Sequence, residues 1–214
     1  MSIIFKGKDS ELDFDIYPAS KDLSPPKKKR IRETVPFMNG EWYFSKIGGE
    51  QYYEPRICKY NFDIIGDTEQ EKNALKDCIV NWLTVDCEGE SLKDTDIADY
   101  HFVVINADAT FAEDGLQGLL TVEFTCKPYK AKDEGISIQK FPNPAKTVNL
   151  PNNGSHRVAV TVVSISNAQI VVNGTTYAVS EGTYTELFYV PVGGIDVDIS
   201  GYGQLTFSYN EEVL

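Results

Sequence analysis

The chain has 214 residues, 42% of them hydrophobic, with 32 acidic and 20 basic side chains and a net charge of −12. That composition supports an ordinary core and excludes a disordered chain. The acidic balance disfavours a general nucleic-acid binder, which needs a basic face, and disfavours docking on anionic lipid.

The amino-terminal stretch MSIIFKGKDSELDF has an apolar run too short for a signal peptide, and no stretch reaches the length of a membrane span. The expectation is a soluble chain made in a cytoplasm. Ile3 to Phe5 reads as a short strand followed by a turn. The sequence SKDLSPPKKKRIR, ending at Arg32, holds a proline pair and then a basic run. Proline cannot donate to a ladder, so this segment is expected to be a loop or an extended arm. Lys27, Lys28, Lys29 and Arg30 imitate a nuclear-import signal or a nucleic-acid patch. A solvated loop is the plain reading, and contact with an acidic neighbouring subunit is the functional one. Asn39-Gly40, between apolar flanks at Val35 to Phe44, is a hairpin signal, and Gly48-Gly49 marks another turn.

The stretch from Tyr53 to Leu83 organises the first half. Cys58, Tyr60, Phe62 and Ile64 alternate with Lys59, Asn61 and Asp63, the period of a half-buried strand. Gly66 breaks the pattern. Thr68 then opens a helix, with Glu71 at the spacing of a capping box. Ala74, Leu75, Cys78, Ile79, Trp82 and Leu83 recur at steps of three and four and form one stripe, with Glu69, Lys72, Lys76 and Asp77 off it. A single helix among strands packs on a sheet, because its stripe has no helical partner.

Beyond Leu83 the acidic sequence CEGESLKDTDIADY reads as surface loop. Tyr100 to Asn106 is a buried strand, with Phe111 on the strand after it. Leu119 to Tyr129 closes this half, with Leu120, Val122, Phe124 and Cys126 on one face and Pro128 ending the strand. A boundary falls in the proline-bearing segment Lys130 to Pro151, giving domains 1–130 and 131–214. Past it, charges thin out. Strands are expected at Val158–Ile165, Gln169–Val172, Thr175–Val179, Thr185–Val190, Ile195–Ile199 and Gln204–Tyr209, with Asn173-Gly174 closing a tight hairpin. That pattern is a β-sandwich.

Chemistry is sparse. His101 and His156 have no evident partner, and the four cysteines match no metal or redox spacing; three fall on apolar faces and read as buried thiols. Asp94 with Asp96, and Asp196 with Asp198, are carboxylate pairs without a calcium loop around them. There is no nucleophile elbow, phosphate loop or zinc helix, so no catalytic, metal or cofactor residue is assigned. Tyr177, Tyr184, Tyr189, Tyr202 and Tyr209 crowd the second half. On a sandwich such residues stack on sugars, fill the core or meet a protein partner.

Three local patterns, in order, resemble the distal tail proteins of siphovirus-type bacteriophages. They are the Tyr52-Tyr53-Glu54-Pro55-Arg56 entry to the central strand, the capped helix ending Ile79-Val80-Asn81-Trp82-Leu83, and the exit strand Val122-Glu123-Phe124-Thr125-Cys126-Lys127-Pro128-Tyr129. They span residues 1–130; the remainder resembles the family's second domain only in length and texture. The resemblance implies a mostly β chain: a tail-tube-like α+β first domain, a β-sandwich with one packed helix, followed by a galectin-like antiparallel β-sandwich. It implies a virion structural protein of the tail tip, assembled in the bacterial host cytoplasm. There it forms a homo-oligomeric ring, commonly a hexamer, at the end of the tube. That hub joins the tail tube protein to the tail-tip protein and to a receptor-binding protein, with DNA only passing through, and needs no enzyme activity. An acidic channel wall would keep the duplex from sticking. On charge, the arm of Lys27, Lys28, Lys29, Arg30 and Arg32 is matched to Asp94, Asp96 and Asp99 of the next subunit. The family's larger members carry inserted sugar-binding modules or arms that this chain lacks room for, so a connecting role is expected over direct host recognition. The competing readings are a tail tube or baseplate subunit and a carbohydrate-binding module using Tyr177, Tyr184, Tyr189 and Tyr202.

Overall fold

The computed structural model describes residues 1–34, 36, 37, 39–44 and 51–214. Two compact units emerge, Met1–Lys130 (with Leu214) and Ala131–Val213. No helix among the described residues is long and apolar enough to cross a membrane.

The first unit runs β1 (Ile3–Phe5), β2 (Lys8–Asp9), α1 (Ser10–Phe14), β3 (Pro18–Leu23), β4 (Arg32–Glu33), β5 (Trp42–Tyr43), β6 (Arg56–Ile65), α2 (Glu69–Thr84), β7 (Ser91–Asp94), β8 (Tyr100–Asp114) and β9 (Gln117–Lys132). Its main sheet has the order β2-β1-β7-β8-β9-β6-β3. The alternation read from the central strand is realised in β6: Cys58, Tyr60, Phe62 and Ile64 are fully buried. In register they face Phe124, Val122, Leu120 and Gly118 of β9, so two inward rows meet as one surface.

α2 closes over this surface. Thr68 caps it, its hydroxyl accepting from the Glu71 N–H at 3.2 Å. Gly66 just upstream is required for space, since an added Cβ would lie 2.5 Å from the Lys72 backbone nitrogen. Ile79, Trp82 and Leu83 are buried as expected, whereas Ala74 and Cys78 are exposed. Lys72, expected off the stripe, is buried instead; its stem lies along the apolar face and its ammonium reaches Glu113 Oε1 at 2.6 Å and Gly115 O at 2.5 Å. The Trp82 indole N–H donates to Phe5 O at 2.9 Å, and its ring stacks on Phe14 at 4.5 Å. Burying Ile79 and Leu83 alone contributes about 1.5–3 kcal/mol each.

Three expectations are corrected here. Residues Ala19 to Leu23 are strand, paired with β6, and only from Ser24 onward do the prolines keep the chain out of the sheet. The acidic stretch after the helix contains β7, because Leu92 and Asp94 alternate inward against β1 and β8. Pro128 does not end β9: the β6 register stops at Arg56↔Cys126, so no β6 partner there needs the missing N–H. Near Asn39-Gly40, β4 pairs with β5 as Arg32↔Tyr43 and Glu33↔Trp42, across residues 34–41 rather than a two-residue turn. Val35, Met38 and the expected Gly48-Gly49 turn lie outside the described residues.

The second unit contains β10 (Ile136–Lys140), β11 (Lys146–Leu150), β12 (Val158–Ala159), β13 (Thr161–Ser164), β14 (Ala168–Val172), β15 (Thr175–Val179), β16 (Gly182–Tyr184), β17 (Tyr189–Val190), β18 (Ile195–Gly201), β19 (Leu205–Tyr209) and β20 (Glu212–Val213). Two four-stranded antiparallel sheets, β10-β19-β13-β16 and β11-β18-β14-β15, form the sandwich. Val162, Leu205 and Phe207 of one sheet share a core with Val148, Ile170, Val197 and Ile199 of the other. The proline-bearing segment is mostly strand, with Pro142 and Pro144 confined to the connection between β10 and β11. Asn173 and Gly174, at φ 48° and 80°, make the two-residue turn that sets Val172 opposite Thr175.

Candidate functional site

The main sheet of the first unit curls on itself. β1 and β9 are separated in the sheet by β7 and β8, yet the Phe5 and Phe124 rings meet at 5.6 Å. The same curvature gathers a polar cluster inside. Asp94 of β7 is fully buried and accepts four hydrogen bonds: two from Lys21 Nζ of β3 at 2.9 Å, one from the Tyr60 hydroxyl of β6 at 3.0 Å, and one from the Asp96 N–H at 2.9 Å. Lys21 also reaches Asp96 at 2.7 Å. Every acceptor direction of the buried carboxylate is thus answered, the condition under which a buried charge is tolerated. Burial alone would lower the Lys21 pKa, but its hydrogen bonds to Asp96 and Asp94 and their charges hold it above the ordinary value. The Lys21 hydrogen bond in turn holds Asp96 below the usual carboxylate range. Burial, followed by the Asp94 charge, pushes the Tyr60 phenol far up, so it remains a donor.

This cluster revises the predicted charge pairing. Asp94, expected on a surface facing the next subunit, is interior and is neutralised by Lys21 of its own chain. Asp96 is half exposed but shares that lysine, and Asp99 is exposed at the turn before β8, at φ 66°. Lys27, Lys28, Lys29, Arg30 and Arg32 are all exposed. They lie on a two-stranded arm: Glu54 N–H donates to Lys27 O at 2.8 Å, Lys29 N–H to Tyr52 O at 2.8 Å, and Lys28 bridges Tyr53. Arg32 pairs with Glu41 at 3.2 Å. The arm is therefore an ordered extension presenting cations, in place of a bare loop.

The tyrosines do not form one platform. Tyr177 packs on Phe188 at 6.1 Å at the edge of the second core. Tyr184 is on the opposite sheet, where its hydroxyl accepts from the Ser180 N–H at 2.9 Å. Tyr189 is exposed beneath Arg157, whose guanidinium lies 5.0 Å from the ring. Tyr209 is buried and donates to Pro151 O at 2.6 Å. Tyr202 alone combines 70% exposure with a depression, a shallow cleft of about 470 Å³ lined also by Asn167, Gln169, Ser180 and Ser200.

Among the described residues no group of three or more His, Cys, Asp or Glu side chains is placed to hold a metal. Cys58, Cys87 and Cys126 are buried and Cys78 is exposed, all as free thiols. Asp196 and Asp198 alternate outward, as expected, and accept from Asn149 at 2.8 Å and Thr147 at 2.5 Å across the β11–β18 ladder. His101 is on β8 and His156 in the turn before β12. Sequence reasoning missed Lys21, Tyr60 and Lys72 as polar anchors. A signal existed for two of them: Tyr60 brings a hydroxyl into an apolar row, and Lys72 sits three residues before Leu75 and seven before Ile79, on the stripe itself.

No protein-family model matches the chain, and no curated protein matches it in sequence. Its fold is similar to the crystal structure of the Dit (gp 19.1) protein of phage SPP1, described as a paradigm of the hub adsorption apparatus in phages that infect Gram-positive bacteria. The TM-score is 0.69 at 13% identity, over 100% of this chain and 99% of that one. At that identity the likeness is one of fold, shared over both units.

Proposed function

We propose that this chain is a structural subunit of a bacteriophage tail tip: a distal tail protein that closes into a ring, with six copies the expected number, at the end of the tail tube. The observation that carries the reading is the end-to-end fold match to a phage hub protein, together with the motif resemblance in the first 130 residues. In this reading the first unit builds the ring next to the tube protein. The second, with a galectin-like topology, is the docking platform for the tail-tip protein and a receptor-binding protein. Ring closure requires a head-to-tail contact between unlike surfaces. The exposed arm, Lys27 to Arg30 with Arg32, supplies one cationic surface, and the Asp96–Asp99 turn of the next copy supplies an acidic one. DNA passes through an acidic lumen without binding.

Native mass spectrometry of the untagged protein at high concentration, with negative-stain imaging, tests this directly. A closed ring with an open centre is expected; a chain that stays monomeric at high concentration and on isolated tail tubes refutes it. Replacing Lys27, Lys28, Lys29 and Arg30 with glutamate is expected to weaken the ring, and an unchanged ring removes the arm from the contact.

One observation favours a second reading, a carbohydrate-binding module. Tyr202 beside Gln169, Ser180 and Ser200 offers an aromatic face with polar neighbours. Saturable glycan binding by the full chain, lost in Tyr202→Ala, would establish it.

A further inference from the structure

Arg56 opens the inward row of β6 and is 5% exposed. Its Nε donates to Pro128 O at 3.0 Å, and its guanidinium lies 5.3 Å from the Phe102 ring. A guanidinium carries five N–H donors. Among the described residues no hydrogen bond or carboxylate answers the four on Nη1 and Nη2. A second cation follows on the same face of β9: Lys130, two residues beyond Pro128, with its ammonium 5.8 Å from the Tyr100 ring. Burial, followed by the Arg56 charge, lowers the Lys130 pKa, and no carboxylate offsets either effect. Tyr100 and Phe102 occupy alternate positions of β8, as Pro128 and Lys130 do of β9. Two cations are thus held on aromatic faces at one end of the core.

Among the described residues of this unit the other buried charges are answered. Asp94 has Lys21, and Lys72 has Glu113. An unpaired buried cation is costly, and two side by side more so, because cation–π contact contributes only about 0.5–2 kcal/mol. The missing component is an anion that takes both. A carboxylate fits the guanidinium fork bidentately and accepts from an ammonium with the same oxygens.

We infer that Arg56 and Lys130 form a receptor for a carboxylate side chain of a second copy of this chain. The chain itself argues for that occupant: it carries 32 acidic residues against 20 basic ones, so each copy offers carboxylates to a neighbour's pair of cations. The site is next to the cationic arm, since Tyr53, bridged to Lys28, meets Tyr129 edge-on at 5.8 Å. Arm and receptor therefore adjoin at one end of the β6–β9 pair. The inference rests on the ring reading and adds a second, inward contact to it.

The test mixes wild-type protein grown in ¹⁴N and ¹⁵N media under oligomer-forming conditions and treats it with a water-soluble carbodiimide, which joins an amine only to a carboxylate in contact. Peptide mass spectrometry should find Lys130 joined to an Asp or Glu with mixed isotopes, the signature of two copies. Lys130→Gln, at a half-buried position, should keep the monomer folded and reduce the oligomer fraction at least tenfold at a given concentration. Joined peptides of one isotope only, or an oligomer indifferent to Lys130→Gln, overturn the receptor while leaving the ring standing. The absence of any oligomer in the wild type, at high concentration and on isolated tail tubes, overturns both.

Discussion

The two units solve the problem of a β core in different ways. The second closes with apolar side chains from facing sheets, and its buried polar anchors, Asn152 and Glu211, lie in connections outside the strands. There Asn152 bonds His156 O and Val190 O, while Glu211 takes the Asn153 N–H and side-chain amide together with Lys132. The first places its buried charges on the strands and helix that build its core, at Asp94 of β7, Lys72 of α2 and Arg56 of β6. A sandwich needs only two greasy faces. A sheet that curls upon itself must also fix where its distant strands meet, and a fully answered carboxylate between β3, β6 and β7 does so directionally, which apolar contact cannot. In Arg56 the first unit also leaves one charge for another molecule to answer.

Substitutions can break this contrast, and the second unit holds no tryptophan, so tryptophan fluorescence, with Trp82 buried in the first core, reports on the first unit. Asp94→Ala leaves the buried Tyr60 hydroxyl unanswered and Lys21 with Asp96 alone, and should cost the first unit about 3–5 kcal/mol. Urea unfolding followed by tryptophan should shift strongly; an unchanged midpoint would mean the cluster is ornamental. Phe207→Ala should cost the second unit a comparable amount, about 3–5 kcal/mol, from the cavity it leaves. Its tyrosine near-UV signal should melt early while the tryptophan transition holds. Tyr60→Phe removes one donor to the buried carboxylate and should cost about 1.5–3 kcal/mol. Gly118→Ala drives a methyl into the Phe111 ring and should cost about 1–3 kcal/mol, unless that ring swings aside.

The smallest effect is a matter of acid. The Asn153 backbone N–H, then Lys132, hold Glu211 below its ordinary value. A carboxylate whose folded pKa is depressed stabilises above its unfolded value, about 4.3, and loses that contribution as pH falls through the folded one. The second unit should therefore weaken below about pH 4, and Glu211→Gln should flatten that slope. An identical slope in the variant would assign the acid sensitivity elsewhere.

The sequence by itself determined whatever depends on neighbours along the chain. The alternation through Phe62, the Thr68 cap, the Asn173-Gly174 turn and the short apolar strands after it are local patterns, and the local backbone follows them. The mostly β class, with one principal helix and a sandwich in the second half, was legible for that reason. The partner of each charge was not. Lys21 and Asp94 are 73 residues apart and Tyr60 and Asp94 are 34 apart, so neither contact leaves a periodic trace. A stretch as acidic as that around Asp94 reads as solvated until a distant lysine is known to face it. Lys72 was set aside because charge ordinarily stays off an apolar stripe; only the β8–β9 hairpin, with Glu113 and the Gly115 carbonyl, makes its burial affordable. Arg56 read as part of a motif, and the tertiary structure alone turned it into a buried guanidinium with four donors and no acceptor among the described residues. Periodicity tells a chain which way a side chain points, but only the closed fold decides what it meets.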